Sequence, residues 1–90
     1  MQDNKVRTYL EQTNAPSDYS WEFLDVRDLP PPEPLTKTLE VLESLDGEVV
    51  LIQLNDRAPQ YLYPKLTDRG YEYDTIENDD NTVVTTIWEA

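Results

Sequence analysis

Apolar and polar positions along the chain change period from one stretch to the next, and each period predicts an element. Tyr19, Trp21 and Phe23 alternate with polar neighbours before Leu24 and Val26 take over the apolar positions. This predicts a strand over about residues 21–26, with the change of phase marking a bulge or the strand's end. Leu35, Leu39, Leu42 and Leu45, with Val41 beside them, form one apolar face of a helix from Pro34 to Asp46, stopped by Asp46-Gly47. Glu48 to Leu54 holds the run Val49-Val50-Leu51-Ile52. A run this continuous predicts a central strand buried on much of both faces.

Ala58, Leu62 and Leu66 then share a helical register from about Ala58 to Arg69. Pro64 conflicts with that span, because inside a helix it removes a hydrogen bond and collides with the carbonyl four residues back. The helix therefore starts later, near Gln60 or Tyr61, or kinks. Tyr71, Tyr73 and Thr75 alternate as a third strand, Asn78 to Asn81 form a hairpin turn, and Thr82 to Trp88 form a fourth strand.

Two strands joined by one helix make a right-handed parallel unit. The order β-α-β-α-β-β, with two amphipathic helices needing a sheet to cover, predicts an α/β (α+β) two-layer sandwich. Its mixed four-stranded sheet carries both helices on one face, within a single domain over residues 21–90. In residues 1–20, Val6, Tyr9 and Leu10 fit a short helix from about Asn4 to Gln12, followed by the linker-like Asn14-Ala15-Pro16-Ser17-Asp18. This segment is expected to be mobile or weakly docked.

Composition narrows the function more by exclusion than by assignment. The 90 residues carry 19 Asp and Glu against 7 Lys and Arg, a net charge of −12. Such a polyanion repels nucleic-acid phosphates and anionic lipid, so neither is an expected partner. Acid enrichment with scarce lysine resembles cytosolic proteins of salt-loving organisms, and stability is expected to rise with added salt. The absence of Cys removes disulfides, thiol nucleophiles and thiolate metal sites. The absence of His removes the usual general base near neutral pH and the commonest metal ligand. No metal, cofactor or catalytic set is predicted, and no apolar run approaches the length of a membrane span. A cytoplasmic monomer or weak dimer is expected.

The candidate binding residues gather at two connectors. Asp25 and Arg27, two apart at the end of the first strand, share a strand face and can pair with each other or with one ligand. Pro30 and Pro31 open a rigid proline connector beside them. Asn55, Asp56 and Arg57 follow the central strand, at the sheet edge where parallel strands gather their binding loops. They can cap the next helix and form a surface ion pair, or line a mixed-charge pocket. Tyr61 and Tyr63 belong to an aromatic-rich C-terminal half, in which an exposed subset would make a protein-contact patch. Asp79-Asp80 with Asn78 and Asn81 is read as a turn and not as a cation site. Asp25 and Asp56 show no sign of an acid/base pair.

Residues 24 to 35 read LDVRDLPPPEPL. This resembles the opening of the TusA-type (SirA-like) sulfur carriers, whose signature ends in Cys-Pro-x-Pro at a helix start. It is closer still to the related DUF2249 family, which keeps an Asp-x-Arg, a proline pair, and an Asn-Asp-His-Asp-Pro stretch after the second strand. Asp25, Arg27, Pro30, Pro31 and Asn55-Asp56-Arg57-Ala58-Pro59, with Leu62-Tyr63, carry the likeness, over about residues 22 to 88. The resemblance implies the carrier fold. It also shows what this chain lacks: Pro31 stands at the carrier cysteine, Arg57 at the family histidine and Ala58 at the second aspartate. Persulfide transfer needs a nucleophilic sulfur, so carriage by that route is excluded. The expected function is a non-catalytic binding or adaptor domain whose proline loop and tyrosines meet a protein partner. The alternatives are a small anion- or polar-ligand-binding protein using Arg27 and Arg57, and an accessory protein of sulfur or redox metabolism without thiol chemistry of its own.

Overall fold

The computed structural model describes residues 2–90, with side chains from Val6 onward. Its elements are α1 (Gln2–Gln12), β1 (Ser20–Asp25), α2 (Glu33–Ser44), β2 (Val49–Asn55), α3 (Leu62–Asp68), β3 (Tyr71–Glu77) and β4 (Val83–Glu89). One four-stranded sheet has the order β1-β2-β4-β3, with β1 parallel to β2 and the other two pairings antiparallel. From β1 onward this is the expected β-α-β-α-β-β order and mixed sheet.

Strand alternation divides the core in two. Leu51 of β2 and Ile87 of β4 pack with Leu42 of α2 and with Leu62 and Leu66 of α3. Val50, Ile52 and Leu54 of β2, with Val84 of β4, point to the opposite face. The first face is covered by α2 and α3. On the second lies α1, whose Val6 is 2% exposed and packs with Ala15, Tyr9 and Leu10 against those residues. Every residue of β2 after Val49 is buried, because each face of this central strand has a helix over it. The helix expected from about Asn4 to Gln12 is thus an eleven-residue helix, Gln2–Gln12, whose Val6 lies on the sheet. Thr13 closes it by donating to Tyr9 O at 2.9 Å, and the Asn14 backbone N–H bonds Asp74 Oδ2 at 2.9 Å on β3.

Local chemistry accounts for the helix ends. Pro64 is the third residue of α3, within the first turn, where its missing N–H forfeits no intrahelical bond. The start at Leu62 is therefore later than the apolar register suggested. Gly70 follows with φ +81°, and its N–H bonds Thr67 O at 3.1 Å. A glycine meets that left-handed geometry without steric cost. Gly47, expected to cap α2, instead turns the chain into β2 at φ +74°, because α2 already ends at Ser44 with an extended Leu45.

Candidate functional site

The two connectors meet at the C-terminal ends of β1 and β2. Between them lies a cavity of about 970 Å³. Its near wall is the proline connector, with Leu29, Pro31 and Pro32, continued by Pro34 and Leu35 of α2. Its far wall is the β2–α3 loop, Asp56 to Tyr61, with Pro64, Lys65 and Asp68 of α3. Gln53 and Asn55 of β2 form the floor, since they share the strand face of Leu51 and so point toward α2 and α3.

Five of the wall residues are prolines. Each fixes its own φ and has no backbone N–H to donate, so the prolines stiffen both walls and leave hydrogen bonding to the other lining residues. The Pro31–Pro32 peptide is cis. Polar recognition therefore falls to the floor and rim. Asn55 Oδ1 accepts from the Asp56 backbone N–H at 2.8 Å, which closes the turn out of β2. At the rim, Arg57 Nε lies 3.5 Å from Asp56 Oδ1, both side chains more than half exposed; such a pair contributes little to stability. Tyr61, at 84% exposure, stands at the mouth.

The structure thus gathers Pro31, Asn55, Asp56, Arg57 and Tyr61 around one cavity and leaves Asp25, Arg27, Pro30 and Tyr63 out of its lining. For Asp25 and Arg27 the reason is strand parity. Asp25 pairs in register with Leu54, and both sit on the α1 side of the sheet. Arg27 folds back onto Asp25 there, with Nη2 2.8 Å from Oδ2, Nε 3.0 Å from Oδ1, and its own backbone N–H also bonded to Oδ1. This closed motif fixes the start of the proline connector.

Tyr63 is drawn the other way. Its ring stacks on Tyr73 with centroids 4.5 Å apart, and its hydroxyl lies 2.6 Å from Thr75 Oγ1, which anchors α3 to β3. In the β3–β4 turn, Asp80 Oδ1 accepts from the Thr82 backbone and hydroxyl, a turn-closing role. No group of three or more Asp or Glu among the described residues is placed to hold a metal ion.

Gln53 was not singled out from the sequence, although a signal for it exists. It is the polar interruption in Val49-Val50-Leu51-Ile52-Gln53-Leu54, and a polar side chain in a strand buried on both faces needs a partner. Lys65 and Asp68 carry no comparable signal, since exposed charges on a short helix are ordinary.

The Arg27 guanidinium hydrogen-bonded to Asp25 holds that carboxyl below its usual 3.8, against a smaller opposing push from burial. A depressed folded-state value stabilises the protein above the unfolded pKa and is lost as pH falls through the folded one. Arg27→Ala is expected to move the Asp25 titration up toward 3.8, read from side-chain carboxyl carbon shifts. Because both groups are surface-exposed, global stability near neutral pH should scarcely change. An unmoved Asp25 titration would show that the pairing does not form in solution.

Comparison with known proteins bears on the fold and the family. Among curated proteins none is significantly similar to the chain. A solved structure of a SirA-like protein from Desulfitobacterium hafniense superposes with a TM-score of 0.65 at 24% identity, over 73% of this chain and 93% of that one. At that identity the likeness speaks for the fold: a SirA/TusA-like sheet with its two helices on one face. Residues 23–89 match the family model described as an uncharacterized conserved protein, DUF2249. The match begins within β1 and runs to the end of β4, taking in both connectors and the whole cavity wall, and the chain belongs to the DUF2249 family.

Proposed function

We propose that this chain is a ligand-binding domain whose site is the cavity between the proline connector and the β2–α3 loop, and that it works without chemistry of its own. The observation that carries the reading is the cavity itself, about 970 Å³ with proline-stiffened walls at the C-terminal ends of two parallel strands. Small-molecule sites have this size, this apolar lining and this placement in open α/β sheets. Pre-formed walls reduce the ordering cost of binding. Thiol-based sulfur carriage is not available to it, since the chain has no cysteine.

The adaptor reading, in which the proline loop and tyrosines meet a protein, draws support from Tyr61, exposed at the cavity mouth. The other tyrosines weaken it. Tyr63 stacks on Tyr73, which is itself exposed on β3, and Tyr71 packs against the α2–α3 core. One exposed aromatic at a cavity mouth suits a lid residue over a small ligand better than a broad contact patch. The anion-binding alternative keeps Arg57 at the rim, whereas Arg27 is already engaged by Asp25.

The test is a set of ¹H–¹⁵N spectra with phosphates, carboxylates, nucleotides and uncharged aromatic fragments. The expected result is shifts confined to Leu35, Asn55 to Arg57, Gln60 and Tyr61. Silence of these residues toward every small molecule, with broadening around Tyr61 and the proline loop in a cell fraction, would replace the ligand reading with the adaptor one.

A further inference from the structure

β1 is an exposed edge strand. It pairs with β2 alone, and Ser20, Trp21, Glu22 and Asp25 are exposed along it. In a parallel pair every second residue turns both backbone groups to the neighbouring strand. The Ser20 N–H bonds Glu48 O and the Val26 N–H bonds Leu54 O, each at 3.0 Å, so the even-numbered residues face β2. The N–H and C=O of Trp21, Phe23 and Asp25 therefore point outward. Such an edge is a template for another strand unless charge guards it. β3, the other edge, carries Glu72, Asp74 and Glu77, and Asp74 also holds the Asn14 N–H. β1 has only Glu22 and Asp25, and Asp25 is already engaged by Arg27.

We propose that β1 pairs antiparallel with β1 of a second copy of this chain, about a two-fold axis at Phe23. In this register every outward group finds a partner. Phe23 exchanges both bonds with the second copy's Phe23, and Trp21 exchanges both with the second copy's Asp25, once at each end. An axis at Glu22 would set Glu22 against Glu22 and carry Asp25 past the end of the partner strand. An axis at Leu24 would set Trp21 against Arg27, whose N–H Asp25 Oδ1 already holds. The side chains favour the same register. Trp21, Phe23 and Asp25 share the α1 side of the sheet, so the Trp21 indole, 40% exposed, comes beside the second copy's Asp25–Arg27 pair. There the carboxylate is neutralised, and the exposed guanidinium can lie on the ring. Glu22 comes opposite Leu24. The interface shares no residue with the cavity lining. The net charge of −12 opposes association in dilute salt, so the dimer strengthens as salt screens it.

Sedimentation of the full chain at about 0.1 M and about 2 M KCl tests it, together with amide exchange read from ¹H–¹⁵N spectra at low and high protein concentration. The expected result is a dimer in the higher salt that is at least about tenfold weaker in the lower. As concentration rises, exchange should slow at Trp21, Phe23 and Asp25, while Glu22 and Leu24, bonded to β2 in either state, are protected throughout. Trp21→Pro should raise the dissociation constant by about tenfold or more, since the N–H it removes is one that β2 does not use. The alternating exchange pattern of the parent chain decides the question even where that variant folds poorly. A chain that stays monomeric at millimolar concentration in the higher salt would overturn the pairing. So would a dimer whose concentration-dependent protection falls on β3 or around Tyr61.

Discussion

Val6→Asp is expected to lower the unfolding free energy by about 3 kcal/mol, the scale of a buried aliphatic side chain and the contacts it organises. Val6 is 2% exposed, packed among Val50, Ile52, Leu54 and Val84. A carboxylate cannot be left in that contact, because burying an unpaired charge costs more than releasing the helix. The variant should therefore shed α1 and open the apolar face beneath it. Urea titration gives the loss of stability, and increased binding of a hydrophobic dye reports the opened face. Glu11→Gln, on the exposed side of the same helix, should stay within about 0.5 kcal/mol of the parent. Equal stability of Val6→Asp and the parent would mean that the N-terminal segment is mobile in solution, as the polar sequence of residues 1–20 alone suggests.

Raising KCl from about 0.1 M to about 2 M is expected to stabilise the fold by an amount on the order of 3 kcal/mol. The net charge of −12 is confined within a radius of gyration of 12.0 Å. An unfolded chain of this length spreads the same charge over roughly 30 Å. Folding therefore concentrates like charge, and in dilute salt the repulsion opposes it. At molar salt the screening length shrinks to about 3 Å, well below the spacing of most surface charges, and the opposition fades. Urea is the suitable denaturant because guanidinium is itself a screening salt. Chloride is the suitable anion because sulfate strengthens apolar burial in any protein. A flat response would mean that the acidic residues are spaced widely enough to repel little even in dilute buffer. A rise would fit a protein adapted to a salty interior.

The candidate site was legible in part, and the division follows strand geometry. Asn55, Asp56 and Arg57 could be placed at the sheet edge because they end a central strand, and Pro31 because prolines cannot continue β1. Asp25 and Arg27 reach the same edge. Yet the register that sets Asp25 beside Leu54 sends them to the opposite face from the cavity, and that register depends on how β1 pairs. Tyr61 and Tyr63 are neighbours in sequence, and only the docking of α3 on β3 decides that one is exposed at a cavity mouth while the other stacks on Tyr73. Gln53 belongs to a third class. Its place in an apolar run marked it as a buried polar residue, but which end of its amide was satisfied depended on Thr38, fifteen positions away.

The order of elements from β1 onward, their approximate limits, the central position of β2 and the lack of thiol chemistry were all readable from local pattern and composition. Each of these follows from local period, from residues that cannot adopt a given backbone, or from the outright absence of an atom type. The continuous apolar run of β2 also required cover on both sheet faces, while α2 and α3 supply only one. Tertiary structure decided that α1 is the second cover, because Val6, Tyr9 and Leu10 are too few to announce a docking surface until Val50, Ile52 and Val84 are seen beneath them. It decided as well that two connectors about thirty residues apart close around one cavity, since a cavity is a property of the distance between walls, and that distance is set by the packing of α2 and α3 on the sheet.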